Sequence, residues 1–126
     1  MNLKRNIKYR VILDETDEIL ASNCELAVDF AKRFLGLMFR PSIDENDALM
    51  LIPCNSVHTF FMRFPVDLVF IDQNGRILYE ERNMSPGNVM YPVKDAWGVL
   101  ELKGGKLGTL NIKKSLTGST IRFEAA

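Results

Sequence analysis

A chain of 126 residues has room for one domain of ordinary size and none for a second. Its 47% apolar content can bury a real core without a metal or disulfide as an obligatory staple, which excludes a disordered tail. The 16 basic and 16 acidic side chains cancel, so no overall field collects phosphate backbones or anionic lipid, and nucleic acid is set aside as a partner.

In chain order, residues 7–13 read as a strand of β-branched and aromatic residues interleaved with basic ones. Residues 14–17 are a polar turn, and two further strands are expected over 19–21 and 24–28. Asp29 is placed to cap a helix over 30–37, its carboxylate accepting from free backbone N–H groups of the first turn. Phe30, Phe34, Leu37 and Met38 recur at helical spacing and are expected to face the core. Gly36 and the Arg40-Pro41 step end the helix. Residues 42–47 form an acidic loop and 48–52 an apolar strand. The run from Val57 to Ile71 is almost continuously apolar and is divided by Pro65 into 57–64 and 66–71.

Asp72-Gln73-Asn74-Gly75 is the strongest turn signal, because Asn-Gly accepts positive φ cheaply, and it predicts a hairpin pairing 66–71 with 76–82. Residues 83–94, with Pro86, Gly87 and Pro92, read as a long loop, and loops of this length tend to be functional or mobile. A strand over 97–102, one helical turn over 106–110 and a closing strand over 120–123 complete the chain. The expected fold class is α+β, predominantly β: a small barrel-like or sandwich-like antiparallel sheet with one or two short helices. Residues 1–22 form an N-terminal strand and turn, part of or appended to a single globular domain over 23–126.

No stretch approaches the ~20 apolar residues of a membrane span, and the acidic run 14–18 interrupts the only candidate signal core. A cytoplasmic address follows by default, with export left open. Cys24 and Cys54 allow at most one disulfide and are expected to be reduced packing residues. Between Glu101 and Glu124 every charge is positive (Lys103, Lys106, Lys113, Lys114, Arg122), which reads as a solvated face, with a weak anion-attracting surface as the alternative.

Three ordered segments carry a resemblance. They are Arg33-Phe34-Leu35-Gly36-Leu37-Met38-Phe39-Arg40; His58-Thr59-Phe60-Phe61-Met62-Arg63-Phe64-Pro65-Val66-Asp67, continuing through Val69-Phe70-Ile71-Asp72 to Gly75; and Ala96 with Val99-Leu100-Glu101-Leu102 and Gly105. Together, over about residues 24–123, they resemble the uncharacterised conserved ACR family, a domain of unknown function. The chain departs from that pattern at Ala48-Leu49-Met50-Leu51, at Phe61 to Phe64 and at Gly118-Ser119. The resemblance implies a compact, predominantly β fold and supplies no reaction.

Candidate chemistry centres on the second segment. His58, the only histidine, is the natural group for proton transfer near neutrality, with Asp67 or Glu101 as the carboxylate that would orient it; a packed structural histidine is the alternative. Cys54 and His58, with Cys24, make an incomplete zinc set, so no metal and no cofactor are expected. Arg33, Arg40 and Arg63 sit within apolar motifs, and their guanidinium groups either recognise an anion or pair with Asp67 or Glu101. Arg33, Met38, Arg40, His58, Phe61, Met62 and Arg63 are the expected ligand-binding set.

Phe60, Phe61, Met62 and Phe64 would occupy both faces of a strand, either covered or exposed as a contact surface. Three functional readings result. The first is a binding or interaction domain for a small ligand or peptide, as a monomer or weak homodimer. The second is a small enzyme, such as a hydrolase, that anchors an anionic substrate. The third is a structural accessory protein.

Overall fold

A computed structural model describes residues 1–112 and 114–126. The strands are β1 (Tyr9–Leu13), β2 (Ile19–Ala27), β3 (Asp47–Leu51), β4 (Val66–Ile71), β5 (Ile77–Met84), β6 (Gly98–Lys103) and β7 (Ile121–Ala125). One short helix, α1 (Phe30–Leu35), and a 3-10 turn at Leu107–Thr109 complete the elements. All strands join one seven-stranded sheet in the order β5-β4-β6-β3-β2-β1-β7. The sheet is antiparallel except for the β2–β3 pair, which is parallel. A parallel pair needs a long crossover, and the segment carrying α1 supplies it, which places the helix over one face of the sheet.

The sheet curls until its two edges meet at one end. Arg76 bridges Thr120, Ile77 N–H donates to the Ser119 carbonyl at 2.8 Å, and Gly118 N–H donates to the Ile77 carbonyl at 2.8 Å. The barrel-like expectation is met, and β1, between β2 and β7, is integral to the sheet. The predicted hairpin forms from β4 and β5: Asn74 and Arg76 N–H both donate to Asp72 Oδ1, and Gly75 takes φ +84°.

Period-two alternation sends side chains to two separate cores. The concave interior holds Val11, Leu13, Leu20, Met50, Val69, Ile71, Leu100 and Leu102, closed by Leu107, Leu110 and Leu116. The outer face of β3, β4 and β6 carries Leu49, Leu51, Leu68, Phe70 and Val99, covered by Leu37, Ile43, Val57, Met62 and Met84. The central strands β4 and β6 are thus buried on both sides, as their near-continuous apolar sequence requires.

Four local expectations are corrected. The strands expected over 19–21 and 24–28 are one continuous β2. The helix stops at Leu35 and buries none of its residues; Phe30 and Phe34 are 77% and 57% exposed, whereas Leu37 beyond its end is buried. Asp29 stands at the N-cap position, but its carboxylate pairs with Arg5 at 3.0 Å and makes no cap hydrogen bond. Finally, residues 57–64 are not a strand.

Only His58 makes a single bridge, to Val89, before Thr59 and Phe61 turn the chain, with Phe61 at φ +62°. Thr59 decides this. Its hydroxyl donates to the Ser85 carbonyl at 2.7 Å and accepts from Asn88 N–H at 2.8 Å, pinning the segment to the long loop instead of to the sheet. That loop is itself anchored, Met90 N–H donating to Val57 and Val93 N–H to Asn55, both at 2.8 Å.

Two members of the basic C-terminal run are paired with acids. Arg122 pairs with Asp14, Asp17 and Glu124, and Lys114 stands 3.6 Å from Glu15. Lys113 lies outside the described residues. No helix among the described residues is long and apolar enough to cross a membrane.

Candidate functional site

The space between α1, the loop after β3 and the outer face of β6 is a groove of about 510 Å³. Its floor is Leu37, Leu51, Val57, Met62 and Glu101, and its rim is Phe30, Arg33, Phe34, Cys54, His58, Phe60 and Val89. The rim rings run in sequence: Phe30 stacks on Phe34 at 6.3 Å, Phe34 meets His58 at 5.8 Å, and His58 stacks on Phe60 at 5.4 Å. Exposure of Phe30 and Phe34 is thereby explained as one wall of a concavity.

Helix α1 ends where the groove needs it to end. Gly36, at φ +47°, turns the chain, and its N–H closes the helix on the Lys32 carbonyl. A Cβ at Gly36 would stand 3.0 Å from Glu101 Oε1 and 3.9 Å from the Arg33 carbonyl oxygen, so the last turn of α1 lies close against the acid. Arg33 ties the helix to the opposite wall by donating from Nη1 to the Pro53 carbonyl at 2.8 Å.

Glu101 is the unusual residue of the site. It is 2% exposed, and its Oε1 has no hydrogen-bond partner. Burial pushes its carboxyl up to about 8, with Arg40 opposing in part, so the group is a neutral acid at neutral pH. The same groove raises the Cys54 thiol, chiefly by burial, with the Ser56 carbonyl and Arg33 working against the rise and Glu101 adding to it. Cys54 Sγ donates to that Ser56 carbonyl at 3.0 Å. His58 is half-buried and accepts at Nδ1 from Phe60 N–H at 3.2 Å.

Of the residues singled out from sequence, Arg33, Met38, His58, Met62 and Glu101 share this groove. Arg40 lines an adjoining recess of about 350 Å³ with Lys32, Phe39 and Leu49. Phe61 stands outside the groove, stacked on Phe39 at 5.5 Å, and Arg63 is exposed and lines neither recess.

Asp67 does not accompany His58. It shares the inner face of β4 with Val69 and Ile71, is 0% exposed, and accepts backbone N–H groups from Asn83 (2.8 Å), Gly105 (3.1 Å) and Leu107 (2.8 Å). Its carboxylate clamps the end of β5 to the turn that follows β6. Cys24 belongs to the inner core, where burial pushes its thiol up to about 12, while Cys54 packs against the outer core. The imagined zinc set is therefore divided by the sheet.

Sequence reasoning missed Phe30 and Phe34 as rim residues and Val89 as part of the wall. A period-two signal was available for Glu101: within β6 it alternates with Leu100 and Leu102 and shares parity with Val99, which places it on the opposite face of the sheet from Asp67.

Residues 11–123 match the sequence profile of the family described as Uncharacterized ACR. A "UPF0127 protein" of Thermococcus gammatolerans is 29% identical over 111 residues, which cover 82% of this chain and 71% of that protein. A second "UPF0127 protein", from Thermococcus sibiricus, is 27% identical over 103 residues, covering 72% of this chain and 66% of the relative. Among solved structures, a Sinorhizobium meliloti protein described as a proposed transcription regulator superposes with a TM-score of 0.78 at 23% identity, covering 97% of this chain and 98% of that one. A protein of unknown function from Novosphingobium aromaticivorans gives 0.76 at 21% identity, covering 91% and 83%. These two likenesses concern the fold alone.

Proposed function

The chain belongs to the Uncharacterized ACR family, which has no established activity, and on that premise we propose that it is a small binding module whose groove between α1 and β6 holds a ligand with an apolar, aromatic body. The observation that carries this reading is the row of exposed rings from Phe30 to Phe60 along a concavity of about 510 Å³ with a mostly apolar floor. Such a volume and lining suit a small organic molecule. Exposed aromatic rings in this number are unfavourable in water unless something covers them. An acid-base mechanism finds less support, because among the described residues no carboxylate hydrogen-bonds to His58.

Methionine methyls provide the test. Met38 and Met62 line the groove, while Met50 lies in the inner core and Met84 in the outer one. Titrating isotope-labelled protein with the neutral probe hydrocinnamide should shift the methyl resonances of Met38 and Met62 and leave those of Met50 and Met84 in place. Phe34→Ser should weaken binding about tenfold, about 1.4 kcal/mol, while changing stability by less than ~1 kcal/mol, since Phe34 is mostly exposed. Absence of any methyl shift with hydrocinnamide and its charged analogues would overturn the reading.

A further inference from the structure

Two polar atoms of the groove are buried and have no hydrogen-bond partner: Arg33 Nε and Glu101 Oε1. A buried donor or acceptor left unmade costs about 1–3 kcal/mol, and here both cases fall in one concavity. The two side chains approach it from different elements, Arg33 from α1 and Glu101 from β6.

Their charges are unequal. Arg33 is permanently cationic, and among the described residues no carboxylate forms an ion pair with it. Glu101 keeps its proton at neutral pH because burial disfavours the anion. The groove therefore offers one guanidinium N–H, one carboxylic O–H and a net positive charge. An ammonium head would meet Arg33 and find no anion; an amide head would leave the charge uncompensated. A carboxylate accepts from both donors, and hydrogen bonds in which one partner is ionised are roughly twice as strong as neutral ones.

Resting on the groove reading above, we propose that the ligand is a small aromatic carboxylate, its ring against the Phe30–Phe34–His58–Phe60 wall and its carboxylate accepting from Arg33 Nε–H and the Glu101 hydroxyl. Every titratable group facing Glu101 bears on how this depends on pH. Arg40 carries a guanidinium that stays charged throughout, Cys54 is removed as a variable by a Cys54→Ser background, and His58 on the rim is common to the native and Glu101→Gln chains, so comparing the two cancels its contribution. The β-strand neighbours of Glu101, Leu49 and Leu68, do not titrate.

The experiment measures the affinity of the full chain for hydrocinnamate, hydrocinnamide, phenylpropylamine and the tripeptide Gly-Gly-Phe as its free acid. Binding is followed by the Met38 and Met62 methyls at pH values from about 7 to about 9.5, a range in which hydrocinnamate stays ionised. Hydrocinnamate should bind at least about tenfold more tightly than the amide or the amine at neutral pH. Its affinity should fall by about tenfold per pH unit as Glu101 ionises above about 8.

Glu101→Gln should abolish that pH dependence and bind hydrocinnamate more tightly than the native chain at the alkaline end. Arg33→Met should weaken hydrocinnamate at every pH and leave hydrocinnamide nearly unchanged. Unmoved Met50 and Met84 resonances check that each variant is folded. Equal binding of acid and amide, tighter binding of the amine, or a flat pH profile in the native chain would overturn the carboxylate assignment while the groove reading stood. Tighter binding of the tripeptide acid would replace a small molecule with a peptide C-terminus, and failure of all four probes would remove both readings.

Discussion

Glu101 Oε1 lies 3.0 Å from the point where a side chain on Gly36 would begin. A strand residue and a helix-terminating residue are thus fitted to one another across the groove. Neither would tolerate growth of the other.

Gly36→Ala tests that fit. Gly36 has φ +47° and ψ −122°, a combination that a Cβ makes costly, and the added methyl would press on the buried acid. The expected loss is about 1–3 kcal/mol, and at roughly 4 °C per kcal/mol for a domain of this size the thermal midpoint should fall visibly. An unchanged midpoint would mean that the helix terminus relaxes freely and that the contact has no energetic weight.

Glu101 should also write itself into the pH dependence of stability. Its folded value is about 8 against an ordinary 4.5, so between those limits the folded protein holds a proton that the unfolded chain has released. Stability from this group is fully present below the unfolded value, declines as pH rises, and levels off once the folded group ionises above about 8. Across that window the expected decline is on the order of a few kcal/mol. Urea midpoints of the native chain should fall relative to Glu101→Gln from about pH 5 to about pH 8. Parallel curves for the two proteins would show that the acid is solvated after all.

Asp67 should behave in the opposite manner to a site residue. Its two carboxylate oxygens take three backbone N–H groups, one from the end of β5 and two from the segment after β6, at 2.8, 3.1 and 2.8 Å. Asp67→Ala would strand those donors and should cost about 3–5 kcal/mol, since hydrogen bonds to a charged group are worth about 1.5–3 kcal/mol each and do not add fully. Equilibrium unfolding reads the loss directly, and a change below about 1 kcal/mol would show that the turns hold without the clamp.

Much of the scaffold could be read from residues alone. The hairpin followed from Asn74-Gly75, because a turn of that composition acts locally and its two flanking strands need only pair with each other. The strands β3, β6 and β7 followed from short apolar or alternating runs for the same local reason. Residues 57–64 failed for a non-local reason: an apolar run looks like a strand until the Thr59 hydroxyl finds Ser85 and Asn88 on another loop.

Phe30 and Phe34 failed similarly. Helical spacing defines a stripe but does not say whether a core or an open groove lies beneath it.

The amino-acid sequence by itself determined a single, mostly β domain, its hairpin, its family, and the segments from which a site could be built. Those are decided by composition, local turn chemistry and period-two patterning, each of which acts over a few residues. Only the tertiary structure decided that Glu101 and Arg33 meet at one groove while Asp67 clamps the other side of the sheet. Strand order and the parallel crossover through α1 set that arrangement, and both depend on contacts between residues tens of positions apart.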